Sequence, residues 1–275
     1  MPPDCAAGAV LAAGQLSGPT GASALTLADL VHRAAAAAAS QPAVRPGQWV
    51  YRELYAHPGS PWLRKGGTAH WATADNTANA FYVAGRLVVG PWSSWGKIGC
   101  TVTKGETVHA IPCPPGQQHY LKFPIEKSKI SYADLGSLPS DPRAVIRYLL
   151  RKVPTAQVWA GVHGAYTYRP VTLPRFRVFN TISWLLYTYV VPPGVAAELY
   201  QVLGDVPGIA LDRHLTDVAG RTGIGFVVRG SKYHVVQSII LNPRTYQLMA
   251  VGNAREGIAV LREALVSGPG KLPRT

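Results

Sequence analysis

The segment 217-DVAGRTGIGFVVRG-230 carries four glycines ahead of an apolar run, and its reading decides between two architectures. In a nucleotide-binding loop the glycines lie between a strand and a helix, so that backbone N–H groups at the helix start point at the anion. Here both flanks read as strands. Gly208–His214 and Gly223–Arg229 are rich in Val, Ile and Leu, and the spacing G-x-x-G-x-G of Gly220, Gly223 and Gly225 fits a turn in which glycine supplies positive φ, with a bulge beside it. The later segment "SGPGKLP" is no phosphate loop either. Leu265 stands where that motif needs its first glycine, and Leu272 where it needs a magnesium-binding hydroxyl.

Working outward, Tyr233–Leu241 and Tyr246–Gly252 continue the pattern, separated by "GSK" and "NPRT" turns. The last quarter is therefore expected to be a meander of hairpins. Upstream, "GQWVYRELYA" reads as a strand, and "HWATADNTANAFYVAGRLVVG" as a strand, a polar turn at Asp75–Thr77 and one or two further strands broken at Gly85. From Pro91 to Pro115 the density of Gly, Pro and Trp predicts a long loop. Composition agrees with a sheet-rich, turn-rich chain: of 275 residues, 28 are Gly, 23 Pro, 7 Trp and 13 Tyr, and only 15% are charged.

Four segments read as helices. In "TLADLVHRAAAAAAS" Thr26 caps the start with Asp29 three residues on, an alanine run follows, and Pro42 ends it. In "SDPRAVIRYLLRKVP" Asp141 is the N-cap, Pro142 the first helical residue and Pro154 the stop. Val145 and Leu149 are expected to face inward, and Arg143, Arg147 and Arg151 to form one basic stripe, either an ordinary wet face or a surface for anionic headgroups. "RFRVFNTISWLLYTYVV", Arg175 to Val191, is apolar or aromatic on almost every side, so it is either a central core helix or the lining of an apolar pocket. Phe176, Phe179, Ile182, Trp184, Leu186 and Tyr187 are the pocket candidates. "GVAAELYQVLG" follows, presenting Val195, Leu199 and Val202.

The net charge of +13 (27 Lys+Arg minus 14 Asp+Glu) fits either an ordinary solvated basic surface or an anionic neighbour, a membrane or cell-wall surface, but no basic run resembles a nucleic-acid arm, so no nucleic acid is expected. Cys100 and Cys113 enclose "TVTKGETVHAIP", while Cys5 lies alone. That spacing fits one disulfide in an oxidising compartment or a pair of free thiols. It fits metal least, because His109 and His119 do not supply the close ligand doublets of structural zinc, and neither metal nor cofactor is expected. No G-x-S-x-G, H-E-x-x-H or C-x-x-C motif is present. His214 with Asp212, and Asp217 nearby, is the one acid–histidine arrangement that a hydrolase reading could use; His163, flanked by glycines, fits a turn as well as a ligand contact.

Residues 1–24 are expected to be a flexible tail or the end of a membrane anchor, with one α+β domain over 25–275. The small apolar stretch Ala6–Leu16 is shorter than the roughly 20 residues a bilayer span needs and has no positively charged leader.

At "LVHRAAAAAASQPAVRPGQWVYRELY", "LPSDPRAVIRYLL", "VPPGVAAELYQVLGDVPGI" and "DVAGRTGIGFVV…IILNPRTYQLMAV" the chain resembles an uncharacterised actinobacterial family known by a CU-prefixed locus tag. The resemblance runs from about Leu25 to the C-terminus. It implies a membrane helix ahead of the alanine-rich segment and a link to extracytoplasmic-function sigma factors. The order of elements is also similar to the lipoprotein-carrier fold of the LolA, LppX and RseB type, which implies a curved antiparallel half-barrel wrapping a few helices around an apolar cavity. The expectation is therefore a non-enzymatic, extracytoplasmic, membrane-anchored or secreted sensor or carrier for a lipid or lipopeptide. The alternatives are a hydrolase using His214 and Asp212, or an interaction module with a filled core.

Overall fold

The structure, a computed structural model, describes residues 25–45, 47–56, 68–73, 75, 78–83, 86–91, 100–104, 107–111, 135–139, 141–152, 157–162, 165–170, 174–229, 236–252, 254 and 257–273. Its main element is a nine-stranded antiparallel sheet ordered β4-β3-β2-β1-β13-β12-β11-β10-β9. These strands are β1 (Trp49–Ala56), β2 (Thr68–Thr73), β3 (Ala78–Val83), β4 (Arg86–Pro91), β9 (Ile209–Thr216), β10 (Thr222–Arg229), β11 (Val236–Leu241), β12 (Leu248–Gly252) and β13 (Gly257–Val266). Two meanders, one from each end of the chain, join where β1 pairs with β13 from Trp49↔Val266 to Ala56↔Ile258. The expected α+β class, an antiparallel sheet carrying helices, is the class the chain adopts.

A second sheet of four strands, β5-β6-β8-β7, corrects one expectation. The span read as a loop from Pro91 to Pro115 contains a hairpin, β5 (Cys100–Lys104) and β6 (Thr107–Ile111), in register from Cys100↔Ile111 to Lys104↔Thr107. The β-branched residues of "TVT" and "TVHAI" explain it. β7 (Gln157–Val162) and β8 (Ala165–Pro170) form the other hairpin.

Among the described residues, four helices of eleven or more residues pack with the main sheet. In α1 (Leu27–Ala39) the Thr26 hydroxyl accepts the Asp29 N–H at 3.1 Å and the Asp29 carboxylate accepts the Thr26 N–H at 2.8 Å, the reciprocal cap the sequence spells out. α2 (Pro142–Lys152) starts on Asp141, whose carboxylate accepts the Ala144 N–H at 2.8 Å. α3 runs over Pro174–Thr188, ending before Val191 because Pro192 and Pro193 forbid another turn; α4 is Pro193–Asp205. The helices pack on one face of β9–β12. Leu30 and Ala34 of α1, Val145 and Leu149 of α2, Phe179 and Ile182 of α3 and Leu199 and Leu203 of α4 share a core with Ile224, Phe226, Val228, Ile239 and Leu241.

Of the three turn-forming candidates, only Gly220 has positive φ (+80°), in the turn where its N–H donates to Asp217 O at 3.0 Å. Gly223 and Gly225 instead lie within β10, which corrects their assignment as positive-φ residues. Their role is close approach. A Cβ on Gly223 would stand 2.6 Å from Ile240 Cγ2 and 2.7 Å from Leu241 O, and one on Gly225 would overlap the Ile239 carbonyl oxygen. The bulge falls opposite, in β9: Gly223 pairs with Leu215 and Gly225 with Asp212, leaving Arg213 and His214 facing the single residue Ile224.

Candidate functional site

α3 divides the six pocket candidates in two. Phe176, Phe179, Ile182 and Leu186 are buried in the main core together with Val178 and Leu185. Trp184 and Tyr187 are half-buried, at the margin of that core. Trp184 meets the buried Tyr189 ring edge-on, with centroids 4.8 Å apart. Desolvation raises the Tyr187 phenol above its ordinary pKa. This margin is apolar and aromatic, with the two rings partly exposed and the Tyr187 phenol withdrawn from water.

At the C-terminal end of α3 lies a polar row, buried at His70 and Arg52 and exposed at Glu263. His70 (β2), Arg52 (β1) and Glu263 (β13) face one another in register across three adjacent strands. Arg52 is 7% exposed; its Nε donates to the Glu263 carboxylate, and one terminal nitrogen donates to Tyr187 O at 2.8 Å and Tyr189 O at 3.0 Å. A guanidinium thus caps the last carbonyls of α3 and fixes that helix end to the sheet. Burial, with the Arg52 charge adding to it, pulls the His70 imidazole down to a pKa of about 3, so it is neutral at physiological pH. Tyr200, stacked on Phe226 at 6.0 Å, has its phenol held well above the usual range by desolvation and then by the Glu263 charge. One signal in the sequence marks this row: in "WVYRELYA" Arg52 shares a strand face with Val50 and Leu54, both buried.

The acid–histidine candidate is assembled differently from the hydrolase expectation. Asp212 Oδ1 accepts the backbone N–H of His214 at 3.0 Å and Oδ2 pairs with Arg229 at 3.2 Å, while His214 is exposed beside the β9 bulge. Both oxygens of Asp212 thus serve the strand pairing. Asp217, which sequence alone groups with that pair, is 1% exposed and belongs to the turn: it accepts Ala219 N–H at 2.9 Å and Arg221 N–H at 2.8 Å, and binds the Arg221 guanidinium at 2.7 Å. Arg221 goes on to donate to Met249 O at 3.0 Å and Val260 O at 3.1 Å, tying the turn to β12 and β13.

Arg143, Arg147 and Arg151 all lie exposed on α2, as their spacing predicts. Cys100 opens β5, whereas Cys113, Cys5 and His163 lie outside the described residues. Among the described residues no cluster of three His, Cys, Asp or Glu side chains is placed to hold a metal ion, and no helix is long and apolar enough to cross a membrane. Comparison with known proteins adds no relative: no family model, curated protein or solved structure matches the chain.

Proposed function

We propose that the protein is a non-enzymatic, extracytoplasmic carrier or sensor that takes up a lipid or lipopeptide against its helix layer, with the half-buried Trp184 and Tyr187 of α3 as the contact margin. The observation that carries this reading is the division of α3, a helix apolar on nearly all sides whose phenylalanines are consumed by the core while two large aromatics stay accessible. Aromatic rings of this size offer a large area against which an acyl chain can be buried. The antiparallel sheet carrying helices on one face supports this reading, and within it the resemblance to a sigma-factor-linked family supplies a signalling role. The hydrolase reading is weaker, since the Asp212 carboxylate is already occupied by Arg229 and the His214 backbone.

Titration with an apolar fluorescent probe tests the proposal. Saturable binding near one probe per chain, displaced by lysophospholipid and weakened about tenfold or more by Trp184→Gln with Tyr187→Gln, is the expected result. A probe that does not bind, or binds the double variant equally well, would remove the carrier role.

A further inference from the structure

Charge is divided unevenly among the four helices. α2 and α3 together hold Arg143, Arg147, Arg151, Lys152, Arg175 and Arg177 and no Asp or Glu, whereas α1 and α4 hold Asp29, Glu198 and Asp205 against Arg33. The three α2 arginines recur every fourth residue, so they line one side of the helix at intervals of roughly 6 Å. All three are exposed. Among the described residues only Arg147 has an acidic neighbour, Asp141 at 3.8 Å, and with the two side chains 66% and 59% in water that pair holds little of its charge. The opposite side of α2 is fixed by Val145 and Leu149, each 1% exposed, so the row cannot turn inward. Between the two sides Ile146 and Leu150 are half-buried, and Arg177 of α3 adds another cation where its guanidinium donates to Leu150 O at 3.0 Å.

We infer that this face of α2 is a docking surface for a membrane containing anionic lipid. Its complement is a negatively charged plane: a row of exposed guanidinium groups, with only the one wet acidic neighbour among the described residues, lies beside partly exposed aliphatic side chains and matches the headgroup layer, where charge lies next to acyl carbon. Arginine suits the lipid phosphate because its planar fork donates two parallel hydrogen bonds. The docking surface is separate from the ligand margin on α3: it works through headgroup charge, and the ligand through the rings of Trp184 and Tyr187.

Co-sedimentation of the full chain with vesicles tests it, using phosphatidylcholine alone and an equal mixture with phosphatidylglycerol. Partitioning onto the anionic vesicles only, falling as salt rises, is expected. The triple variant Arg143→Gln, Arg147→Gln, Arg151→Gln should lower the partition coefficient by about fivefold per arginine, on the order of 100-fold in all. A control losing the same charge elsewhere, Arg45→Gln with Arg244→Gln and Lys271→Gln, should lose tenfold or less. Equal loss in the two variants would reduce the surface to bulk charge and overturn the assignment. So would a wild-type chain that ignores anionic vesicles yet binds duplex DNA or polyphosphate. Because these positions are exposed, unchanged circular dichroism is expected for both variants; a triple variant that unfolds is replaced by the single Arg143→Gln, whose expected loss is about fivefold.

Discussion

Arginine occupies two contrasting settings in this molecule. Within the sheet, Arg52 and Arg221 are each bound to a carboxylate and to two backbone carbonyls from other elements. On α2, Arg143 and Arg151 have no acidic partner among the described residues and Arg147 has only a distant one. The difference teaches where charge is spent. A guanidinium that fixes strands and helix ends is held by a carboxylate and by carbonyls, whereas one left in water is available to a partner.

The contrast is broken most forcefully at Asp217. Replacing it by alanine strips the half-buried Arg221 of its counter-ion and leaves two turn N–H groups without an acceptor. A loss of about 3 kcal/mol or more in chemical denaturation is expected, against nearly nothing for any single α2 arginine.

The next test uses pH. His70 is neutral in the fold because its pKa of about 3 lies below the value of about 6.5 it regains when unfolded. Between those values the unfolded chain binds more protons, so the His70 contribution is complete above pH 6.5 and is lost as the pH falls toward 3. Wild type should therefore lose about 2 kcal/mol more than His70→Leu on moving from pH 7 to about pH 4.5, as read by urea unfolding at both values. Equal losses would show that the row beside Arg52 does not discriminate against a second cation.

Smaller effects sharpen the picture. Thr26→Ala removes half of a reciprocal cap at an exposed helix start and should cost about 1 kcal/mol, measured by thermal unfolding. The triple α2 variant should change stability least, within about 0.5 kcal/mol at each exposed position, while changing vesicle binding most.

Much of this arrangement is legible in the chain. Thr26 with Asp29, Asp141 with Pro142, and Pro192 with Pro193 set helix ends by purely local chemistry, and all act where they stand. The glycine-bearing turn before β10 reveals a hairpin for the same reason. β13 was not legible, because "AVLREALV" is built of good helix formers and only its pairing with β1, some two hundred residues away, makes it a strand. Gly223 and Gly225 announce a special backbone, but a short G-x-G cannot say whether the need is for positive φ or for room beside Ile239 and Ile240. The His70–Arg52–Glu263 row was hidden because its members meet only through strand register. The margin on α3 stood halfway: helical spacing identified the aromatic residues, but the division between buried phenylalanines and accessible Trp184 and Tyr187 depends on which neighbours the fold supplies.

Native mass spectrometry of the protein purified under non-denaturing conditions tests the ligand role of that margin most directly. The account predicts an adduct of lipid mass on the wild-type chain, or its appearance when lysophospholipid is added, and its depletion in the Trp184→Gln, Tyr187→Gln variant. A bare chain mass before and after lipid addition, in a protein that remains folded, would contradict it.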